Sequence, residues 1–262
     1  MMPRRQSLVI GVVGLAAVLA VTACSSKAPG STSVGGGASG AGSTNLPKKT
    51  TYVIGYSQSN NAEPYRAQLN IQLQSFVKAQ PNLTLLPIAD AAQDSSKQVS
   101  QVQQFIQQKV DVLIVSPNEA DPLTPPVEQA CKAGIKVIIL DRSVNTNCIS
   151  AFIGGDNVDI GKQAGQLALT LLPNGGNVVE LQGILSNQPQ IDRDKGFRDA
   201  IAANPKVTIV KNQEAKWLKE DATKITQQWL QSGTAINLVY AHNDPMALGA
   251  MDAARIDCNI AI

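Results

Sequence analysis

From Tyr52 onward the chain alternates short apolar runs with amphipathic stretches, and this rhythm restricts the folds open to it more than any other feature. YVIGYS (52–57), LTLLPIA (83–89), VLIVS (112–116), KVIIL (136–140), AFIGG (151–155), NVVEL (177–181), VTIVKNQ (207–213) and INLVY (236–240) have the length and β-branched bias of buried strands. Between them run helical patterns over about 64–80, 95–109, 122–133, 158–172, 190–203 and 219–231, then PMALGAMDAAR from Pro245. Gly134 stands where the third helix needs a C-cap. A chain of βαβ units predicts an α/β fold with parallel sheets and helices on both faces. A ninth strand candidate at Asn259–Ile262 brings the total above what one compact sheet of this length carries. Two lobes, 50–154 and 155–262, joined near Phe152–Asp156, are therefore expected.

The first 49 residues follow another logic. Residues 1–23 join a basic start (Arg4, Arg5) to the apolar run LVIGVVGLAAVLAV, which reads as a secretory signal. Its 14 residues fall short of the ~20 a membrane-spanning helix needs. The sequence Val21-Thr22-Ala23-Cys24 resembles a bacterial lipobox, which implies a lipid on Cys24 and attachment to the outer face of a membrane. Residues 24–49 are rich in Gly, Ser, Thr and Ala and predict a flexible tether.

Charge excludes one class of partner. Without Arg4 and Arg5, the 22 basic residues of the chain become 20 against 20 acidic ones, and no basic cluster with interleaved aromatics suggests nucleic acid. Cys131, Cys148 and Cys258 remain after Cys24; an exported location permits a disulfide, and Cys131 with Cys148 is the nearest pair. The cysteine spacing fits no zinc pattern, and with a single histidine in the chain no metal is expected.

Ligands of open α/β sheets sit outside the carboxyl ends of the strands. There the chain places Gln58-Ser59-Asn60-Asn61, Asp141-Arg142, Gln182-Gly183, Trp217 and Asn243-Asp244, with Tyr65 nearby. Carboxylates and amides accept from vicinal hydroxyls, a guanidinium donates in a fixed plane, and an aromatic ring covers an apolar C–H face. Such a set suits a neutral polyhydroxylated ligand. No G-x-G-x-x-G follows the first strand and no G-x-x-x-x-G-K-[ST] occurs, so neither a phosphate cradle nor a nucleotide cofactor is expected. An activated nucleophile with its base is also missing from the pattern, which argues against an enzyme.

The strings YSQSNNAEPYR, IILDRS, IGGDNVDIGKQAG, VVELQG with DRDKGF, and VYAHNDPMALGA together resemble the periplasmic sugar-binding proteins of the ribose and galactofuranose type, the solute receptors of ABC importers. That resemblance covers roughly Thr51–Asp252. It implies the type I fold of this class, two Rossmann-like lobes that close at a hinge over one monosaccharide, acting as a monomer in the cell envelope and delivering the sugar to an ABC permease. It further implies that Asn61, Tyr65, Arg66, Asp141 and Arg142 line the first-lobe wall, with Arg193, Trp217 and Asn243 opposite. In this reading Asp141 accepts from adjacent hydroxyls, Arg142 and Arg193 donate, Trp217 stacks on the sugar face and Asn243 presents its amide. His242 is expected as a satisfied neighbour and Asp244 as a helix cap.

Two departures accompany the resemblance. Ala62-Glu63 is extra relative to the ribose-binding pattern, and the chain ends at DAARIDCNIAI, before the segment that completes both lobes in the family. An incomplete second lobe is therefore expected, with an inactive truncated fragment as one alternative. Another is a sensory module that presents a sugar to a membrane kinase or chemoreceptor.

Overall fold

The computed structural model describes residues 48–255. The signal segment 1–23, Cys24, almost all of the 24–49 tether, Cys258 and the strand candidate at 259–262 lie outside the described residues. Among the described residues no helix is long and apolar enough to cross a membrane.

Nine strands and seven helices alternate along the described chain. They are β1 (Tyr52–Gln58), α1 (Pro64–Lys78), β2 (Leu83–Leu85), β3 (Ala89–Asp90), α2 (Ser95–Gln107), β4 (Val112–Ser116), α3 (Ala120–Lys132) and β5 (Lys136–Leu140). Then follow β6 (Ala151–Ile153), α4 (Asn157–Leu171), β7 (Gly176–Gln182), α5 (Gln188–Ile201), β8 (Val207–Glu214), α6 (Lys219–Gln231), β9 (Leu238–Ala241) and α7 (Asp244–Ala254). They form two separate sheets, one ordered β2-β1-β4-β5-β6 with β3 also on β1, the other β8-β7-β9. Every strand pair is parallel. This is the α/β fold with parallel sheets that the alternation predicts.

One expected strand is divided. LTLLPIA pairs with β1 at Leu83–Leu85 opposite Tyr52–Ile54, and again at Ala89–Asp90 opposite Ser57–Gln58. Three residues, Leu86, Pro87 and Ile88, thus face two on β1, and Pro87 has no N–H for the ladder, so the strand bulges there.

Each sheet carries its own core. In the first, Leu113, Val115, Val137 and Ile139 pack with Val102 and Phe105 of α2 and Leu123 and Val127 of α3. In the second, Val179 and Leu181 pack with Ile225 and Trp229 of α6 and Met246 of α7. Cys131 at the end of α3 is disulfide-bonded to Cys148 in the loop before β6, with the Cα atoms 5.9 Å apart. Several apolar side chains stay exposed, among them Phe152 and Ile153 of β6 and Leu167 and Leu171 of α4.

Helix α4 reaches α5 so closely that a Cβ on Gly161 would lie 2.1 Å from the carbonyl oxygen of Arg193. Only glycine admits this approach, and it holds the backbone of Arg193 near the strand ends.

Candidate functional site

Residues that follow β1 and β5 and residues that follow β6, β8 and β9 line a cavity of about 520 Å³. That volume lies within the ~300–1,000 Å³ of ordinary small-molecule sites. Glu63, Tyr65, Arg66, Asp141 and Arg142 line one wall, and Asn157, Arg193, Trp217, His242, Asn243 and Asp244 contribute to the rest.

The first wall is an ionic lattice. Arg66, 1% exposed, donates from Nε to Glu63 (3.0 Å), from Nη1 to Gln58 (2.8 Å) and Ser116 (2.7 Å), and from Nη2 to Asp141 Oδ2 (2.7 Å). Four of its five N–H groups are thereby committed to the protein. Burial alone would lower its pKa, but Glu63 and Asp141 raise it above the ordinary arginine value. The resemblance implied Arg66 as a lining residue of the first wall; it lines the cavity, and its bonds make it a strut that aims two carboxylates.

Asp141 sits at a tight reversal after β5. Its φ is 68°, a left-handed conformation that aspartate tolerates better than most residues, and its N–H donates to Ile153 (2.7 Å) while the next N–H, of Arg142, donates to Leu140 (2.8 Å). Among the described residues no hydrogen bond reaches Asp141 Oδ1, which leaves that oxygen to accept from a ligand. Arg142 is equally buried but weakly partnered. Its Nη1 makes long bonds to the carbonyls of Asn118 (3.3 Å) and Pro117 (3.5 Å), and Nη2 and Nε stand 3.7 Å from Glu63 and 3.9 Å from Asp141. Burial first, then the like charge of Arg66, pushes Arg142 down to about 9, so an oxygen-bearing ligand would relieve it.

Asn61 is not in the wall. Asn60 Oδ1 accepts from the N–H of Ala62 (3.0 Å) and Glu63 (3.4 Å), and this local turn sends Asn61 outward, where it accepts from Asn70. The same turn brings in Glu63, which belongs to the dipeptide that looked superfluous. Its carboxylate is buried beside Pro64 at a helix start, a position the sequence does show. Tyr65 lines the cavity with 55% of its surface exposed, and partial burial raises its pKa.

The second wall is built on an aromatic ring. Trp217 has φ of 70° after β8 and packs into the core of its sheet while lining the cavity, only 4% exposed. Its ring covers Gly183, where a Cβ would lie 2.1 Å from Cζ2. The guanidinium carbons of Arg193 and Arg142 stand 5.5 and 5.8 Å from the ring centroid, within cation–π range. Arg193 donates from Nε to Asn157 (2.9 Å) and from Nη1 to the His242 carbonyl, leaving Nη2 uncommitted among the described residues.

The turn after β9 also differs from expectation. Asn243, not Asp244, is the N-cap of α7, with Oδ1 accepting from Met246 N–H (3.0 Å) and Nδ2 donating to the Trp217 carbonyl (3.1 Å). Asp244 instead begins the helix, where its charge complements the helix dipole, and it lines the cavity. His242 is half-satisfied: Nε2 lies 2.9 Å from Glu180 Oε1, and Nδ1 is buried with no partner. Burial, then Arg193, lowers His242 to about 3; burial, then Asp194, raises Glu180 to about 8 against the opposing Arg198.

The walls touch beside the cavity. Ser186 donates to Glu119, Asn187 Nδ2 donates to the Asn118 carbonyl, and Glu119 is held below the ordinary carboxylate range by its bonds from Ser186 and Ser95. Among the described residues no cluster of three or more His, Cys, Asp and Glu side chains is placed to hold a metal.

Two parallel α/β sheets with a polar cleft between their strand ends define a type I periplasmic binding protein fold. Residues 54–255 match the periplasmic binding protein domain, and the chain belongs to that family. It is 32% identical over 210 residues to the ribose import binding protein of Bacillus subtilis, covering 80% of this chain and 68% of that protein. It is likewise 32% identical to the galactofuranose-binding protein of Escherichia coli, covering 77% of this chain and 65% of that one. A solved fructose binding periplasmic domain of a hybrid two component system superposes with a TM-score of 0.74 at 35% identity, covering 78% of this chain and 68% of that chain.

Proposed function

We propose that this protein is an extracytoplasmic solute-binding lipoprotein that captures a monosaccharide between two hinged lobes, 50–154 and 155–262, and delivers it to an ABC permease. The observation that carries this reading is the charge balance of the cavity. Glu63, Asp141 and Asp244 face Arg66, Arg142 and Arg193 there, so the lining favours a neutral ligand able both to donate and to accept. Asp141 Oδ1 accepts from a hydroxyl, Arg142 and Arg193 donate, and Tyr65 and Trp217 cover apolar C–H faces. Asn243 acts here through the Trp217 carbonyl it holds. The chemistry is binding and closure, without a reaction step.

Relatives named for ribose and galactofuranose support a sugar as the ligand class. The lipobox-like string ending at Cys24 supports a lipid anchor. The likeness to a periplasmic domain of a two component system favours one second reading, a module that reports a sugar to a membrane kinase.

A thermal melt of the protein with D-ribose, D-fructose, L-arabinose, xylitol and myo-inositol tests the site. A ligand at ~100 times its Kd stabilises by ~2.7 kcal/mol, or a rise of ~5–10 °C for a chain of this size. Stabilisation by a neutral polyol supports the proposal; stabilisation by ribose 5-phosphate alone would sink it. The anchor is checked by palmitate labelling in cells, expected for the wild type and absent in Cys24→Ala.

A further inference from the structure

Asn187 is the N-cap residue of α5, yet its side chain makes no capping bond. Asparagine is favoured at that position because its oxygen accepts from the second or third helical N–H. Here the amide is directed elsewhere, although the residue is only 1% exposed. Its Oδ1 accepts from the indole Nε1–H of Trp217 (2.9 Å), and its Nδ2 donates across the cleft to the carbonyl of Asn118. One planar group thus holds the aromatic ring of the second wall and the backbone of the first.

Both ends of this link are anchored. The Asn118 peptide is fixed by its N–H bond to Gln98 (2.7 Å) and by Nδ2 bonds to Gln93 and Ser95, and its carbonyl also receives Arg142. At the other end the Trp217 carbonyl accepts from Asn243 and the ring rests on Gly183. The ring has one polar atom, Nε1, and Asn187 is its partner.

We infer that Asn187 is a positioning residue that couples contact between the lobes to the orientation of Trp217. When the lobes meet, the Asn118 carbonyl takes Nδ2 and fixes the amide plane, which presents Oδ1 to the indole. When they separate, the amide is free to turn and the ring loses its fixed partner. Stacking geometry and closure are then formed or lost together, which sharpens discrimination between a bound and an empty cleft. The inference rests on the reading of the cleft as a closing receptor, but its test does not require the ligand to be known.

The test uses the full protein with spin labels on unnatural amino acids at the exposed positions Lys97 of α2 and Lys195 of α5, which leaves the cysteines untouched. Distances between the labels are measured without and with D-ribose, D-fructose and myo-inositol. Asn187→Ala should shift the ligand-free distribution toward longer distances and weaken the near-ultraviolet dichroism of tryptophan. Asn187→Asp keeps an acceptor for the indole and removes the donor to Asn118. It should lengthen the distance as much as the alanine variant while retaining more of the tryptophan signal, and it decides the matter if the alanine variant does not fold. For a sugar that binds, both variants should release it about tenfold faster, the equivalent of ~1.4 kcal/mol. Unchanged distances in the folded variants overturn the inference, whether or not affinity falls, because Asn187 would then act as a ligand contact or a helix residue only. Lengthened distances in a protein that binds no sugar uphold the link and refute the monosaccharide reading.

Discussion

The two walls of the cleft reach a fixed geometry by different means. Arg66, Glu63 and Arg142, all buried, form an ionic wall with the partly buried Asp141, in which Arg66 aims the two carboxylates. The opposite wall is centred on Trp217, which Asn187 and Asn243 hold through neutral amide bonds, with Arg193 over its ring. An ionic wall is built before any ligand arrives, because removing one ion leaves its partners uncompensated. A ring held by amides is adjustable, since each bond is worth only ~1 kcal/mol net. On the proposed reading, the first wall recognises hydroxyls and the second responds when the lobes meet.

The comparison breaks most severely at Arg66. Arg66→Met leaves Glu63 and Asp141 buried without their strut and should cost ~3–5 kcal/mol in urea denaturation. A loss below about 1 kcal/mol would mean that the ions do not organise that wall. Next comes Gly183→Ala, whose methyl would collide with the indole. Overpacking of this kind costs ~1–3 kcal/mol, and the displaced ring should weaken sugar binding without altering the first wall.

Acidity sharpens the contrast further, because the second wall rests on Glu180 and His242. His242 falls from its ordinary 6.5 to about 3, so its contribution is present above pH 6.5 and lost as pH falls toward 3. Glu180 rises from 4.5 to about 8, so its contribution is present below pH 4.5 and lost as pH rises through 8. Between pH 4.5 and 6.5 the two slopes oppose one another. Stability should therefore be nearly flat there and fall from pH 6.5 to 8 as Glu180 ionises. Glu180→Gln should remove that alkaline loss; an unchanged profile would show that Glu180 ionises normally. The smallest effect is expected from Asn243→Ala, which forfeits a cap worth ~1 kcal/mol and frees the Trp217 carbonyl. Its melting point should drop slightly, with a larger change in tryptophan dichroism than in stability.

The sequence carried the alternation of strands and helices because each buried strand must be apolar and each helix amphipathic. It did not show that Pro87 divides a strand, since bulging depends on the partner strand's register. At the site, Asp141, Arg142 and Trp217 line the cavity as their strand-end positions suggest, and Arg193 lines it from within α5, a place only the family resemblance indicated. Asn61 and Glu63 exchanged places because a side-chain turn at Asn60 decides which of them faces inward, and composition is blind to it. Asn243 took the cap expected of Asp244 because its backbone is still extended where helix α7 begins, with φ −152° and ψ 169°. That Arg66 serves as a strut was not legible, because a charge beside a cleft does not reveal how many of its N–H groups are already bonded.

The central claim is that a neutral sugar binds between the walls through Asp141. Isothermal titration of the wild type and of Asp141→Asn, each with the neutral sugar that raises the melting point most, tests it most directly. Asparagine keeps the shape but replaces part of the carboxylate's accepting capacity with donors, so binding should weaken by about 10–100-fold while the fold persists. Equal affinity in the two proteins, or tighter binding of a phosphorylated sugar, would contradict it.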